Sequence, residues 1–197
     1  MSYRSNPKVI HTIIIALVIL IAVLGGAFYY ASRMDPAYVP EDVLPAGWYL
    51  DSTEQGSARF GFDQLSRYVY VKNAEFPAAL SIFTFHYVLP QLNDTIVKST
   101  MNELMVNLTE EQEISITNNS SGVRGNSFYV ELEGERRLSA FEKEYLNVYG
   151  EFCKDGYGTY VMCIGFAKVG ERSLLSRRMD ARGYEEIKNM LIPAIRQ

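Results

Sequence analysis

The sequence predicts an α+β chain: a single N-terminal transmembrane helix followed by an antiparallel β-sheet packed with two amphipathic helices. Three observations predict it. Residues 13–30 form an apolar run without a charge. After residue 45, short strand-like runs follow one another on hairpin-length connections, the pattern of antiparallel pairing. Two further stretches switch from a period of two to spacings of three and four, the period of a helix.

From Thr12 onward the apolar run is ~20 residues, enough at ~1.5 Å per residue to match the ~30 Å hydrocarbon core of a bilayer. Backbone polar groups in lipid must pair within their own segment, so the run is expected to be helical. Arg4 and Lys8 precede it, whereas Asp35, Glu41 and Asp42 join Arg33 after it. The positive-inside bias therefore predicts a cytoplasmic N-terminus and an extracytoplasmic C-terminal domain. A cleaved signal peptide has an apolar core of only ~7–15 residues, so a retained single-pass signal-anchor at the cell membrane is expected. The boundaries follow: 1–8 cytoplasmic, 9–31 transmembrane, 32–45 a Pro-rich linker, 46–197 the folded domain. Three prolines between Asp35 and Pro45 read as a semi-rigid spacer.

Within the domain, Gly47–Asp51 and Ala58–Phe62 read as strands about a Glu54–Ser57 turn, and Tyr68–Val71 as a third. Ala79–Val88 is the strongest strand, with Leu80, Ile82, Thr84 and His86 on one face and Phe83 and Phe85 on the other. Gln91–Leu108 places Leu92, Ile96, Val97, Met101, Leu104, Met105 and Leu108 on one helical face. Strands are expected at Gln112–Thr117, Ser127–Leu132, Leu146–Cys153 and Thr159–Ala167, with Asn118–Gly122 a loop. Ala181–Ile195 is the closing helix, with Asp180 in the N-cap position. Two such helices can cover one face of the sheet.

Charge excludes one class of function. The chain carries a net −4, and all 23 Asp and Glu lie after residue 34. An acidic domain lacks the basic face that nucleic acid requires.

Leu44-Pro45-Ala46-Gly47-Trp48, the apolar strand running into Gln91–Leu108, Val130–Gly134, the Tyr149-Gly150-Glu151-Phe152 hairpin and the terminal helix together resemble the PsbP-like family over about Pro45 to Ile195. That resemblance implies an antiparallel sheet packed with helices and a non-enzymatic accessory or binding role. It carries over no catalytic set.

The side chains able to do chemistry are few. His11 and His86 are the only histidines, so neither a His-rich metal site nor a Ser-His-Asp arrangement is easily assembled. No phosphate loop, Gly-x-Ser-x-Gly or other cofactor motif occurs, and no cofactor is expected. Cys153 and Cys163 sit on two arms of one hairpin. Pairing about Gly158 would oppose them and permit a disulfide, whereas a tighter Asp155–Gly158 turn would send the sulfurs to opposite faces; both registers stay open. Asn93, Asn107, Asn118 and Asn119 open Asn-x-Ser/Thr sequons, which read either as glycosylation acceptors or as ordinary loop formers. Lys168, Arg172, Arg177, Arg178 and Arg182 form a basic cluster, read either as a contact for anionic headgroups or an acidic partner, or as a solvated connector.

The expectation is thus a membrane-anchored accessory or binding domain. It would contact the bilayer through residues 9–31, and a membrane-protein partner would complete it. The alternative is a tethered carrier of a small apolar ligand, with Phe83, Phe85, Met101 and Met105 lining a groove. An enzyme built on His86 with Cys153 or Cys163 is the remaining reading.

Overall fold

Two meanders make one sheet. In the computed structural model of the chain, the described residues are 18–26, 34–58, 63–86, 94–111, 113–155 and 158–195. A helical stretch at 18–26 (α1) and a 3-10 turn at Glu41–Val43 precede β1 (Trp48–Ala58), β2 (Asp63–Lys72) and β3 (Ala78–His86). Helix α2 (Asp94–Glu111) carries the chain to the far edge, where β4 (Ser115–Arg124), β5 (Ser127–Arg137), β6 (Lys143–Lys154) and β7 (Thr159–Arg172) run back. The short β8 (Arg177–Met179) folds onto β7, and α3 (Arg182–Ile195) closes the chain. The strand order is β1-β2-β3-β7-β6-β5-β4, with β8 beside β7. Every pairing is antiparallel.

The expected fold class does not stand. The molecule is mostly an eight-stranded antiparallel sheet with short helices, not a spanning helix ahead of a sheet covered by two amphipathic ones. Polar segments were drawn into strands by cross-strand pairing, which outweighs local propensity. Glu54–Ser57, expected to turn, continues β1 opposite Gln64–Arg67. Asn118–Gly122, expected to be a loop, is paired with Tyr129–Glu133 inside β4. Nor is α2 cleanly two-sided: Met101, Met105 and Thr109 are buried while Val106 is exposed.

The two helices lie on opposite faces of the sheet. Gly150 of β6 opposes Ile164, the neighbour of Gly165 on β7, so the two glycines project to opposite sides. A Cβ on Gly165 would overlap Ile187 of α3, and one on Gly150 would come within 3.1 Å of Met101 and Met105 of α2. Each missing side chain lets a helix approach the sheet. On the α3 face Leu80, Ile82, Val161, Cys163, Tyr184, Ile187, Met190 and Leu191 form the larger core. On the α2 face Met101, Met105, Val130, Leu132, Val148, Phe152, Tyr160 and Met162 form the other.

The membrane assignment is also corrected. Among the described residues no helix is long and apolar enough to cross a membrane. Residues 18–26 would cover about 14 Å at ~1.5 Å per residue, roughly half of a bilayer core. The remainder of the predicted span, 9–17 and 27–31, lies outside the described residues. An apolar run scores the same on hydropathy whether or not it forms one continuous helix, so hydropathy alone does not establish a span. The transmembrane helix, the signal-anchor, the single-pass cell-membrane location and the extracytoplasmic placement derived from them are therefore not supported. Part of the expected spacer belongs to the fold instead. Ala37 and Val39 are buried on the sheet, where the Ala37 N–H donates to Thr84 Oγ1 at 2.9 Å. The Val39 N–H donates to Tyr70 Oη at 2.9 Å, and that hydroxyl donates back to the Val39 carbonyl at 3.1 Å.

Candidate functional site

Along the α3 face, register lines up side chains that are far apart in sequence. Cys163 opposes Glu151, which opposes Tyr129; Val161 opposes Cys153, which opposes Ser127. This half of the sheet therefore carries a carboxylate, two thiols and two hydroxyls on one surface. Where β5 begins and β6 ends, the surface opens into a cavity of about 440 Å³ lined by Arg124, Ser127, Glu151, Cys153, Lys154 and Lys188 among others.

Glu151 is the unusual member. It is 8% exposed, and a buried carboxylate requires hydrogen-bond partners to offset its lost hydration. Tyr149 supplies one, donating its hydroxyl to Glu151 Oε2 at 2.7 Å. Burial, reinforced by the Glu151 charge, pushes the Tyr149 phenol well above its ordinary value, so it stays a donor. On the rim, Lys188 reaches Glu131 at 3.2 Å and lies 5.1 Å from the Tyr184 ring centroid. Arg124 stacks over Tyr129 at 5.1 Å. The cavity thus has a held carboxylate at its floor and cations at its mouth.

The thiols beside it are poor nucleophiles. Burial pushes Cys153 up to about 12, with Asp155 and Glu151 adding to the rise, and fully buried Cys163 is also raised well above its ordinary value. A thiolate is the reactive form, so both side chains behave as small apolar groups at neutral pH. Neither expected register occurs. The two cysteines share a face but are offset by two residues, since Cys153 meets Val161 and Cys163 meets Glu151. Both are free; diagonal neighbours lie near or beyond the Cα separation that a disulfide spans.

The other predicted residues fall as follows. His86 is buried at the end of β3, with Nδ1 2.9 Å from Thr159 Oγ1, and opposes Thr159 rather than either cysteine. Phe83 and Phe85 stack on each other at 6.2 Å, half-buried, and pack against the core in which Met101 and Met105 sit on Gly150. Asn93 lies outside the described residues. Asn107 is exposed on α2, and Asn118 and Asn119 are exposed on the edge strand β4.

The basic cluster is largely neutralised from within. Lys168 bridges Glu144 at 3.0 Å and Glu171 at 2.8 Å, and these carboxylates raise its pKa against the opposing effect of burial. Arg178 pairs with Glu75 and, at 3.5 Å, with Glu171, and Arg182 holds Asp180 at 2.6 Å. Arg177 lies 5.5 Å from the Tyr145 ring centroid. Arg172 has no ion-pair partner among the described residues. A second cavity, of about 560 Å³, lies beside this network between Lys72, Phe76, Arg178 and Gly183.

Sequence reasoning missed Glu151, Tyr149, Ser127 and Lys188 as a group. The one signal was Tyr149-Gly150-Glu151-Phe152, where a carboxylate interrupts a strand that is otherwise apolar and aromatic.

Comparison with known proteins adds little. No family model matches the chain, so the PsbP-like resemblance finds no support there. No curated protein matches it either. One solved structure has a loosely similar outline: the crystal structure of LpqN, involved in cell envelope biogenesis of Mycobacterium tuberculosis. It matches with a TM-score of 0.38 and 9% identity, over 84% of this chain and 85% of that one. A likeness of that order carries no conclusion about what this chain does.

Proposed function

We propose that the chain is a non-enzymatic accessory domain that recognises a partner through the Glu151 cavity. The carrying observation is the pairing of Glu151 with Tyr149 at 2.7 Å on the floor of a cavity whose mouth holds Arg124, Lys154 and Lys188. Placed donors and acceptors of both signs in a concavity suit recognition of a polar group carrying both charges. Covalent chemistry is poorly served there, because the adjacent thiol is protonated at neutral pH and the histidine sits on another strand pair.

Affinity capture of the full chain from its own cells under gentle detergent tests this, run beside Glu151→Gln/Lys188→Ala. A stoichiometric partner held by the wild type and lost from the variant is the expected result. Recovery of both as partner-free monomers would overturn the reading.

A further inference from the structure

Opposite the cavity, at the other end of β6, the register joins Arg172 and Arg177 of the basic cluster to two cations from other strands. Arg137 of β5 opposes Lys143 of β6, Lys143 opposes Arg172 of β7, and Arg172 opposes Arg177 of β8. Four cations therefore stand in one row on one face of the sheet. With strands ~4.8 Å apart, the row is about 15 Å long. Like charges directly opposite one another destabilise a sheet, so the row carries a cost in folding. Only Lys143 is ion-paired, with Glu135 at 2.5 Å; Arg137 and Arg172 have no ion-pair partner among the described residues.

Just beyond the row come two turns. The β5–β6 turn exposes Leu138 and Phe141, and the β7–β8 turn exposes Leu174 and Leu175, the last at 94%. The second turn is built tightly: the Ser173 N–H donates to the Ser176 carbonyl at 2.8 Å, and the two hydroxyls lie 2.9 Å apart. The leucines at its apex are thus held outward with nothing to pack on. Because β5, β6, β7 and β8 are consecutive neighbours, both apolar tips project from the same end of the sheet.

We propose that this end docks on an anionic lipid surface, the tips entering the interface and the cation row meeting the headgroups. The contact is peripheral, made by the sheet and not by residues 9–31. Apolar side chains on convex tips need a medium that closes around them, and a bilayer interface does so where a protein groove would have to be shaped for them. The cation row supplies the complementary charge. The acid of the same tip, Glu142, is exposed, and its carboxylate accepts the Ser139 hydroxyl at 3.5 Å.

The test is fluorescence of the full-length Leu175→Trp variant on vesicles of chain-brominated phosphatidylcholine, with and without phosphatidylglycerol. The native Trp48 is buried and serves as the reference. The added indole should be quenched on the anionic vesicles alone. Arg172→Gln/Arg177→Gln should weaken that binding roughly 25-fold, about fivefold per cation, and raised salt should weaken it as well. Hydrogen exchange of the unsubstituted chain gives a reading free of mutation: 138–142 and 173–176 should slow on anionic vesicles. Binding without quenching at 175, equal quenching on zwitterionic vesicles, no binding, or protection of the tips by a protein alone would each overturn the proposal.

Discussion

At the scale of single residues, two glycines decide how closely the layers pack, and they differ in tolerance. Gly165 faces Ile187, a branched and fully buried side chain with no room to retreat. Gly150 faces the ends of Met101 and Met105, whose unbranched side chains can shift by the few tenths of an ångström that a methyl at 3.1 Å demands. Gly165→Ala is therefore expected to destabilise the protein by about 1–3 kcal/mol and Gly150→Ala by about 1 kcal/mol or less. Urea unfolding of the two variants measures both. Equal losses would show that the α2 layer is as rigidly seated as the α3 layer.

At the scale of elements, the junction of β7, β8 and α3 is held by Asp180. Its N–H donates to the Val169 carbonyl at 2.9 Å, and its carboxylate accepts the Arg182 N–H at 3.0 Å and the Arg182 guanidinium at 2.6 Å. Those hydrogen bonds from Arg182 pull the Asp180 carboxyl down to about 2, below the ~3.9 of an unfolded aspartate. A depressed folded pKa contributes stability that is present above about pH 4 and lost as pH falls through about 2. Asp180→Asn should accordingly lower Tm at neutral pH, and the gap from wild type should close between pH 4 and pH 2. A gap that is constant with pH would mean that the carboxylate charge is not what matters. Asp180 was legible from sequence as a helix-start residue, although it stands one position before the helix's first capping carbonyl, on Ala181. Helices α2 and α3 and most strands were legible for a similar reason, since their periodicity is local. The illegible parts are those fixed by partners. A polar edge such as β4 has no apolar alternation to reveal it, and β8 is only three residues long. Arg137 and Arg172 become neighbours of Lys143 only through register, and a one-residue slip would have scattered the row. The Glu151 cavity was hidden for the same reason, its residues coming from β4, β5, β6 and α3.

At the scale of the whole molecule, β6 runs from the cation row at Lys143 to the cavity at Lys154, a span of about 40 Å at ~3.4 Å per residue. A lipid contact at one end would leave the Glu151 cavity facing away from the surface, open to a partner. Such an arrangement requires the sheet between the two ends to be stiff, and the interior supports this. The central strands β3, β7 and β6 are covered on one face by α3 and on the other in part by α2, and Cys163 lies at their middle with no exposed surface. Opening a path to that sulfur means lifting α3 and parting β6 from β7, which is most of global unfolding. The Cys163 thiol thus becomes a native reporter of cooperativity. In native buffer a thiol-labelling reagent should not modify Cys163, and in urea its modification should follow the loss of β-sheet ellipticity with a single midpoint. Labelling of Cys163 well before that midpoint would show that α3 detaches as an independent unit. The sheet could not then hold cavity and surface contact in fixed relation.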